Sequence, residues 1–347
     1  MSIGSVFGNI AMLMAGKASP REVARVLDKL SIEPSGNLDS VPNDSVNIAV
    51  AQLLRRDYHN LGEYIADMNS YVADAANRRA HIVCFPAFTG LLPLSFLPQF
   101  SNIRSEFQVR AGDFPEPDYI RECLGYCGEV MFDAYFNTMS ALAARHGVYI
   151  MAGTTIYIED GTPRHRAFLF DNMGELAGTQ DKIVPSPAER AIGAAYGGES
   201  IVFNTPMGCF SVLIGSDVLF FETIRAAKRQ GAQIILNPTA FVGDYTPMDS
   251  AGGLAVRVQE NAIYGVQCTM VGDTGLGISM NAPCAVYAPN ELVRTRVKNG
   301  LLSQSSGESE PEILSVTLDL EVIESIKNPY WNDKNPKLLG KYLDRLS

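Results

Sequence analysis

From Val46 onward, apolar and polar positions fall into short segments with two different periods. Val46-Asn47-Ile48-Ala49-Val50-Ala51 has strand character, and the next segment places Tyr64, Met68, Tyr71, Val72 and Ala75 on one helical face. His81 to Phe85 is a second strand that ends at Pro86. After a long loop, Tyr135 to His146 predicts a helix with Met139, Leu142 and Ala143 on its apolar side, capped by Gly147. Val148 to Ile158 returns as a strand. Arg166 to Phe170 and Glu175 to Thr179 flank the turn Asp171-Asn172-Met173-Gly174 and read as a hairpin. Further strands are expected at 200–204, 208–215, 233–237, 263–271, 284–288 and 312–318, with helices at 219–230 and around 246–260. Strands alternating with helices, interrupted by hairpins, imply an α/β fold in which helices pack on a mixed sheet.

The segment ahead of this pattern has its own signals. Ser19-Pro20-Arg21-Glu22 reads as an N-cap, a proline at the first helical position and an early acid, followed by Val23, Val26 and Leu27. Residues 5–31 are expected to form one or two short helices that pack on the chain's own oligomer. Docking of a protein partner or of a membrane surface through residues 1–31 is the alternative. Ser2 to Met14 is fairly apolar but lacks the positive n-region of a secretory signal, and no apolar stretch of about 18–20 residues follows. Pro34 to Asp44 reads as a linker. This gives three units: an extension and linker (1–45), a main domain (46–326) and a tail (327–347). The tail holds Trp331, the only tryptophan, and Tyr342, residue types enriched at interfaces, so it is expected at an oligomer interface rather than on its own domain.

Composition narrows the function classes. The chain is 46% hydrophobic and 19% charged, as in an ordinary soluble globular protein. A net charge of −10 without a Lys/Arg cluster argues against a nucleic-acid partner. Several of the six cysteines sit in apolar runs, as Cys84 does in Ile82-Val83-Cys84-Phe85. Cys123 and Cys127 are one helical turn apart, but no His or second Cys pair accompanies them, so packing is the reading and neither metal nor cofactor is expected. A reducing cytoplasm is the expected compartment.

The chemistry centres on a bend. Val212-Leu213-Ile214 predicts a buried strand, and Thr223 to Gln230 a helix beyond it. In α/β enzymes the residue at such a strand-to-helix bend is exposed at the carboxyl end of the sheet. Here it is Gly215, which has no side chain to react.

The order of segments from about Val46 to Ile326 resembles the nitrilase, or carbon–nitrogen hydrolase, superfamily. Asn47 to Gln52 resembles its first strand, and His81 to Pro86 its second, which ordinarily continues as Phe-Pro-Glu. Phe170 to Lys182 resembles the hairpin that leads to the family's lysine. Gly231 to Phe241 and Arg257 to Ala262 resemble segments that follow the nucleophile. The resemblance implies a four-layer α-β-β-α sandwich that dimerises through helices and grows into larger homo-oligomers. It also implies a Glu base, a Lys, a second Glu and a Cys nucleophile, with the Lys stabilising charge that develops on the substrate. Lys182 and Glu189 match the lysine and the second glutamate. The base falls on Ala87 and the nucleophile on Gly215, with Asp217 and Glu222 in register.

Alanine cannot accept a proton and glycine cannot form a thioester. The preferred reading is therefore a catalytically inactive member that acts by binding, as a scaffold, regulatory subunit or small-ligand sensor. Its ligand would be a small amide or carboxylate held near Lys182, Glu189, Ser216 and Asn237. An ion pair with Glu189 is the simpler account of Lys182, since a buried lysine without a carboxylate is costly. The alternative is a carbon–nitrogen hydrolase or acyltransferase with a rearranged site, acting on a non-peptide C–N bond. Replacement attackers are poorly placed: Ser216 is offset by one residue and is expected to point away. Cys209 is six residues upstream, roughly 20 Å at strand rise. Cys84 reads as core, and His165 as a surface residue in a turn.

Overall fold

The computed structural model describes residues 18–35, 44–97, 117–246, 252–274, 279–292, 300–307 and 309–326. The first strand, β1 (Ser45–Leu54), is buried on both faces, and this sets the layering. Val46, Ile48 and Val50 point one way, while Ala49, Ala51 and Leu53 point the other. Along its edges β1 pairs in parallel with β2 (Ile82–Cys84) and antiparallel with the last strand, β14 (Glu312–Asp319).

From β2 the same layer continues through β3 (Tyr149–Glu159), β4 (Thr162–Phe170) and β5 (Leu176–Asp181). A second layer holds β6 (Val202–Thr205), β7 (Gly208–Val212), β8 (Ile234–Thr239), β10 (Tyr264–Asp273), β12 (Ala285–Tyr287) and β13 (Leu301–Gln304). Two short strands, β9 (Gly243–Asp244) and β11 (Ser279–Asn281), attach at the end of β10. The layers are joined where Leu53 and Leu54 pair with Met270 and Val271, giving one 14-stranded mixed sheet folded on itself. Val46, Ile48, Val50 and Met151 meet Phe210, Ile234, Val266 and Cys268 in the core between the layers. The far edges close as well. A Cβ on Gly178 of β5 would lie 2.4 Å from the Phe203 ring of β6, so only glycine lets them approach. Gln180 donates to Glu199 O (2.8 Å) and accepts from Ile201 N–H (2.7 Å).

Helices cover both outer faces. On the first lie α1 (Pro20–Lys29), α2 (Leu61–Asn77) and α3 (Pro117–His146), packed over Ala49, Val83, Phe85, Ile150 and Phe168. A short helix, α4 (Pro187–Ala191), follows β5. On the second face lie α5 (Phe221–Arg229) and α6 (Leu254–Asn261), over Leu213, Ile235, Ile263 and Tyr287. The layers therefore run α-β-β-α, as expected, and a last turn of helix, α7 (Leu320–Ser325), ends the described chain.

Two local features differ from the sequence reading. Helix α3 spans 30 residues and takes in much of the segment read as a loop; Gly125 and Gly128 lower its propensity, and both have open space around them. The β3–β4 turn falls at Asp160-Gly161, so β4 starts at Thr162 and includes His165.

Helix α1 begins as the sequence predicts, with Ser19 as N-cap accepting from Glu22 N–H and Pro20 in the first turn. It packs on the chain's own domain. Val23 and Leu27 are buried in the α2–α3 core, Asn137 donates to Ala18 O (2.8 Å), and Arg145 pairs with Asp28 (2.8 Å). Ser35 then donates from its backbone to His146 Nδ1 (3.3 Å), and its hydroxyl lies 2.6 Å from the same nitrogen. The rest of the extension, most of the linker and the 327–347 tail lie outside the described residues, as does the Cys123 side chain; Cys127 is buried. Among the described residues no helix is long and apolar enough to cross a membrane.

Because α1 shares one core with α2 and α3, Leu27→Ala is expected to destabilise the whole domain by about 2–5 kcal/mol. Chemical denaturation should show one transition at a lower midpoint. A separate early transition confined to α1, with the main midpoint unmoved, would contradict this.

Candidate functional site

Lys182 is the first residue after β5. Its N–H donates to His165 O (2.8 Å) and its carbonyl accepts from Gly197 N–H (2.8 Å), so its backbone is fixed between β4 and the 191–198 loop. Its ammonium lies 2.8 Å from Glu189 Oε2 and 3.1 Å from Oε1, with both side chains nearly sealed from solvent. Glu189 is held by a capping box at the start of α4: Ser186 Oγ accepts from Glu189 N–H (3.3 Å), and Ser186 N–H donates to Glu189 Oε2 (2.6 Å).

His165 completes this network. It is 2% exposed, inside β4 rather than in a surface turn. Its Nδ1 bonds Glu189 Oε1, its Nε2 lies 2.6 Å from Thr154 Oγ1, and its ring stacks on Phe88 at 5.0 Å. Thr154 Oγ1 accepts from Phe88 N–H (2.9 Å), which leaves its own hydrogen for Nε2. The consistent assignment is a neutral imidazole carrying its proton on Nδ1 and donating to a Glu189 carboxylate. Burial lowers the His165 pKa, against the opposing pull of Glu189. Burial alone would raise the Glu189 carboxyl, but the His165 hydrogen bond and the Lys182 charge hold it well below the usual range. The alternation in 162–167 carried the signal for His165: Pro163, His165 and Ala167 face inward, Arg164 and Arg166 outward. The proline obscured it by suggesting a turn.

The bend follows β7. Leu213 and Ile214 continue inward, and a 3₁₀ turn runs from Gly215 to Leu219 before α5. Asp217, fully buried, accepts from Ile214 N–H (3.1 Å), Ile183 N–H (3.1 Å) and Val184 N–H (2.9 Å). One carboxyl thus ties the bend to the two residues after Lys182. Burial pushes its pKa up to about 6, while the three N–H groups pull it back. Asn237 of β8 donates to Leu213 O (2.6 Å) and Gly215 O (3.1 Å), so its amide nitrogen is used in holding the bend. Gly215 has φ +52°, and a Cβ built there would lie 3.7 Å from Lys182 Nζ and 3.9 Å from Thr239 Oγ1. Thr239, on β8, was not singled out from sequence; nothing in the local pattern marks it.

Lys182, Glu189, Gly215 and Asn237 are therefore brought together. Ser216 is partly exposed beside them in the 3₁₀ turn. Ala87 is buried after β2, next to Phe88, whose ring stacks on His165. Its backbone is closely packed: a Cβ on Gly153 would fall 2.0 Å from Pro86 O. Cys84 is in the inter-sheet core, and Cys209 lies at the start of β7, bonded to Asn204 Oδ1 (3.2 Å). Among the described residues no group of three or more His, Cys, Asp or Glu side chains could hold a metal ion.

The network has a definite pH signature. Folded His165 binds its proton less readily than an unfolded histidine, so its contribution is present above pH ~6.5 and is lost as pH falls through that value. Glu189 has the same sign, with its contribution lost as pH falls below about 4.5. Asp217 has the opposite sign: its contribution is greatest below about 3.8 and is lost as pH rises through about 6. Histidine ¹⁵N spectra are expected to show His165 neutral with Nδ1–H at pH 6, and His165→Gln is expected to lose less stability than the wild type between pH 7 and 5. A His165 imidazolium at pH 6, or equal slopes, would refute the assignment.

The comparisons with known proteins agree with this architecture. The carbon-nitrogen hydrolase family model matches residues 47–328. The chain is 27% identical over 291 residues to a probable hydrolase, YhcX, of Bacillus subtilis, covering 80% of this chain and 50% of that protein. It is 31% identical over 112 residues to a deaminated glutathione amidase of Yersinia enterocolitica, covering 29% of this chain and 39% of the relative. The chain thus spans about half the length of the first of these relatives, or less in the second. Among solved structures it resembles an amidase from Nesterenkonia sp. at TM-score 0.61 and 22% identity, covering 87% of this chain and 98% of that one. A form of that amidase with the acetamide moiety of fluoroacetamide on its active-site cysteine matches at TM-score 0.65 and 21% identity, covering 87% and 99%. The family match over most of its length places the chain in the carbon–nitrogen hydrolase family.

Proposed function

We propose that this chain binds a small amide or carboxylate in the pocket at Lys182 and does not turn it over by cysteine chemistry. The observation that carries the reading is Gly215. The bend has the clamped backbone, the positive φ and the facing lysine that a nucleophile position would have, but no side chain. Alanine at position 87 removes the expected base as well. In a serine hydrolase, losing the nucleophile or its base alone costs on the order of a million-fold in kcat. Lys182, supported by Glu189, would anchor a ligand oxygen, with Ser216 at the rim and Asn237 holding the floor.

A hydrolase or acyltransferase with a rearranged site is the second reading. What favours it is the company the chain keeps: the relatives and solved structures above are a hydrolase and amidases. That activity would have to act without Cys209 or Cys84, neither of which lies at the bend.

Assembly belongs to the same proposal. Leu219, Phe220 and Phe221, immediately after the bend, are 52%, 40% and 44% exposed, which supports a homodimer or larger oligomer. The tail at 327–347 as an interface segment, residues 1–31 as a docking segment and a reducing cytoplasm complete the reading; free Cys84, Cys127, Cys209, Cys268 and Cys284 support the last.

The first test is a thermal-shift screen with small amides, nitriles, amino acids and carboxylates, followed by turnover assays on each hit. A ligand that stabilises without being consumed is the expected result; consumption that survives removal of all six cysteines would replace binding with the rearranged-site reading. The double variant Ala87→Glu, Gly215→Cys is expected to gain thiol-dependent amide hydrolysis, against about 1–2 kcal/mol of backbone strain at residue 215. Lys182→Met is expected to lower both ligand affinity and stability. Lost stability with unchanged affinity would leave Lys182 as an ion-pair partner alone.

A further inference from the structure

We infer that the groove between the end of α1 and the start of α2 is the docking site of residues 3–14 of the same chain, which fold back along α1 as an amphipathic helix. This deepens the reading of residues 1–31 as a docking segment by giving it a target within its own chain. It does not depend on what binds at Lys182.

The groove has a volume of about 340 Å³ and a largely apolar lining. Val26 and Leu30, one turn apart on α1, form one wall, and Gly62 and Ala66 of α2 the other. Val23 and Leu27 face the domain core, whereas Leu30 is 41% exposed. Gly62 keeps the groove open: a Cβ there would lie 3.1 Å from Asn60 Oδ1 and 3.8 Å from Val26 Cγ1. Two polar groups that line the groove are engaged with their neighbours. Asn60 Oδ1 caps α2 by accepting from Glu63 N–H (3.0 Å), and the Glu63 carboxylate accepts from Asn60 Nδ2 (3.2 Å) and His59 N–H (2.9 Å). The occupant this lining suits is apolar.

The sequence ahead of α1 has that character. Ile3, Val6, Phe7, Ile10, Leu13 and Met14 recur at helical spacing, so the pattern predicts one apolar face, with Ser2, Ser5 and Asn9 opposite. Gly16 is a helix stop, and Lys17 and Ala18 leave a link of αα-hairpin length before the Ser19 cap. Ala18 is buried and its carbonyl accepts from Asn137 (2.8 Å), which fixes the point from which the segment turns back. The lengths agree. Residues 3–14 span about 18 Å as a helix and α1 about 15 Å, so an antiparallel pair brings Ile3, Val6 and Phe7 to the level of Val26 and Leu30.

A helix this short, with Gly4 and Gly8 inside it, is unstable alone and needs a surface to pack on. The groove is favoured over a bilayer because helices that lie on membranes carry Lys and Arg on their polar face. Residues 2–16 contain no charged side chain.

The test is amide hydrogen exchange, read by mass spectrometry on the full chain, in wild type, Leu30→Asp and Ala66→Glu. In wild type, residues 3–14 are expected to exchange about tenfold or more slowly than an unstructured peptide of the same sequence, at a rate unchanged by dilution. Each substitution places a carboxylate on one wall of the groove at an exposed position. Each is therefore expected to return residues 3–14 to the unprotected rate while β1 and α3 exchange as in wild type. The two positions lie on different helices, so either variant decides alone if the other misfolds. In reverse, Phe7→Asp is expected to speed exchange in the last turn of α1.

Protection that is absent in wild type, or that survives both substitutions, overturns the inference. Protection that falls on dilution assigns the groove to a second copy of the chain. Protection that appears only with vesicles of phosphatidylcholine and phosphatidylserine assigns the segment to a membrane surface. Either result overturns docking within the chain. Ligand binding at Lys182 is read separately by the thermal-shift screen, so failure of one reading leaves the other standing.

Discussion

The site depends on one buried carboxyl. Asp217 accepts backbone hydrogen bonds from Ile214, ahead of the bend, and from Ile183 and Val184, just past Lys182. These segments are more than thirty positions apart in sequence and arrive from different layers of the sandwich. Without that carboxyl, three N–H groups at the ends of two strands would lose their partner, a heavy penalty in a water-poor interior. Its presence fixes the distance between Lys182 and the bend. The cost shows in Asp217 itself, whose pKa burial pushes up to about 6 despite three donors.

Around this tie the protein builds a polar chain with few loose ends. Phe88 N–H, Thr154, His165, Glu189 and Lys182 are linked in series, and Ser186 completes the Glu189 contacts. A lysine and a glutamate buried together are no strong source of stability by themselves. What such a network supplies is position, because each member has its geometry set by the next. The chain ends at Lys182, facing a bend without a side chain. Around Gly215 the fold places the Lys182 ammonium and the Thr239 hydroxyl 3.7 Å and 3.9 Å from where a Cβ would lie.

Much of this was legible from residues alone. The mixed strand-and-helix pattern implied helices on a mixed sheet, and the shared order of weak strings implied the family. Lys182 and Glu189 were named from the family resemblance and Gly215 from the strand-to-helix bend, and the structure brings them together. His165 was misplaced because Pro163 reads as a turn, although Pro is tolerated near the start of a strand and the alternation about it is regular. The first half of α3 was missed because Gly125 and Gly128 weaken the helical signal, whereas packing of Leu124 against Ile156 and Ile192 holds it. Thr239 had no signal at all, since one threonine at a strand end is ordinary.

By itself the sequence determined which atoms exist: a lysine and a glutamate seven residues apart, an alanine where a base is expected, and a glycine at the bend. These side-chain identities are the same in any fold. The tertiary structure decided which groups meet. It turned His165 inward, used Asn237 as a clamp, and left Thr239 facing Lys182 across an open space. The reason is that side-chain identity is local, whereas hydrogen-bond partnership across a sheet depends on register and on the approach of strands far apart in the chain.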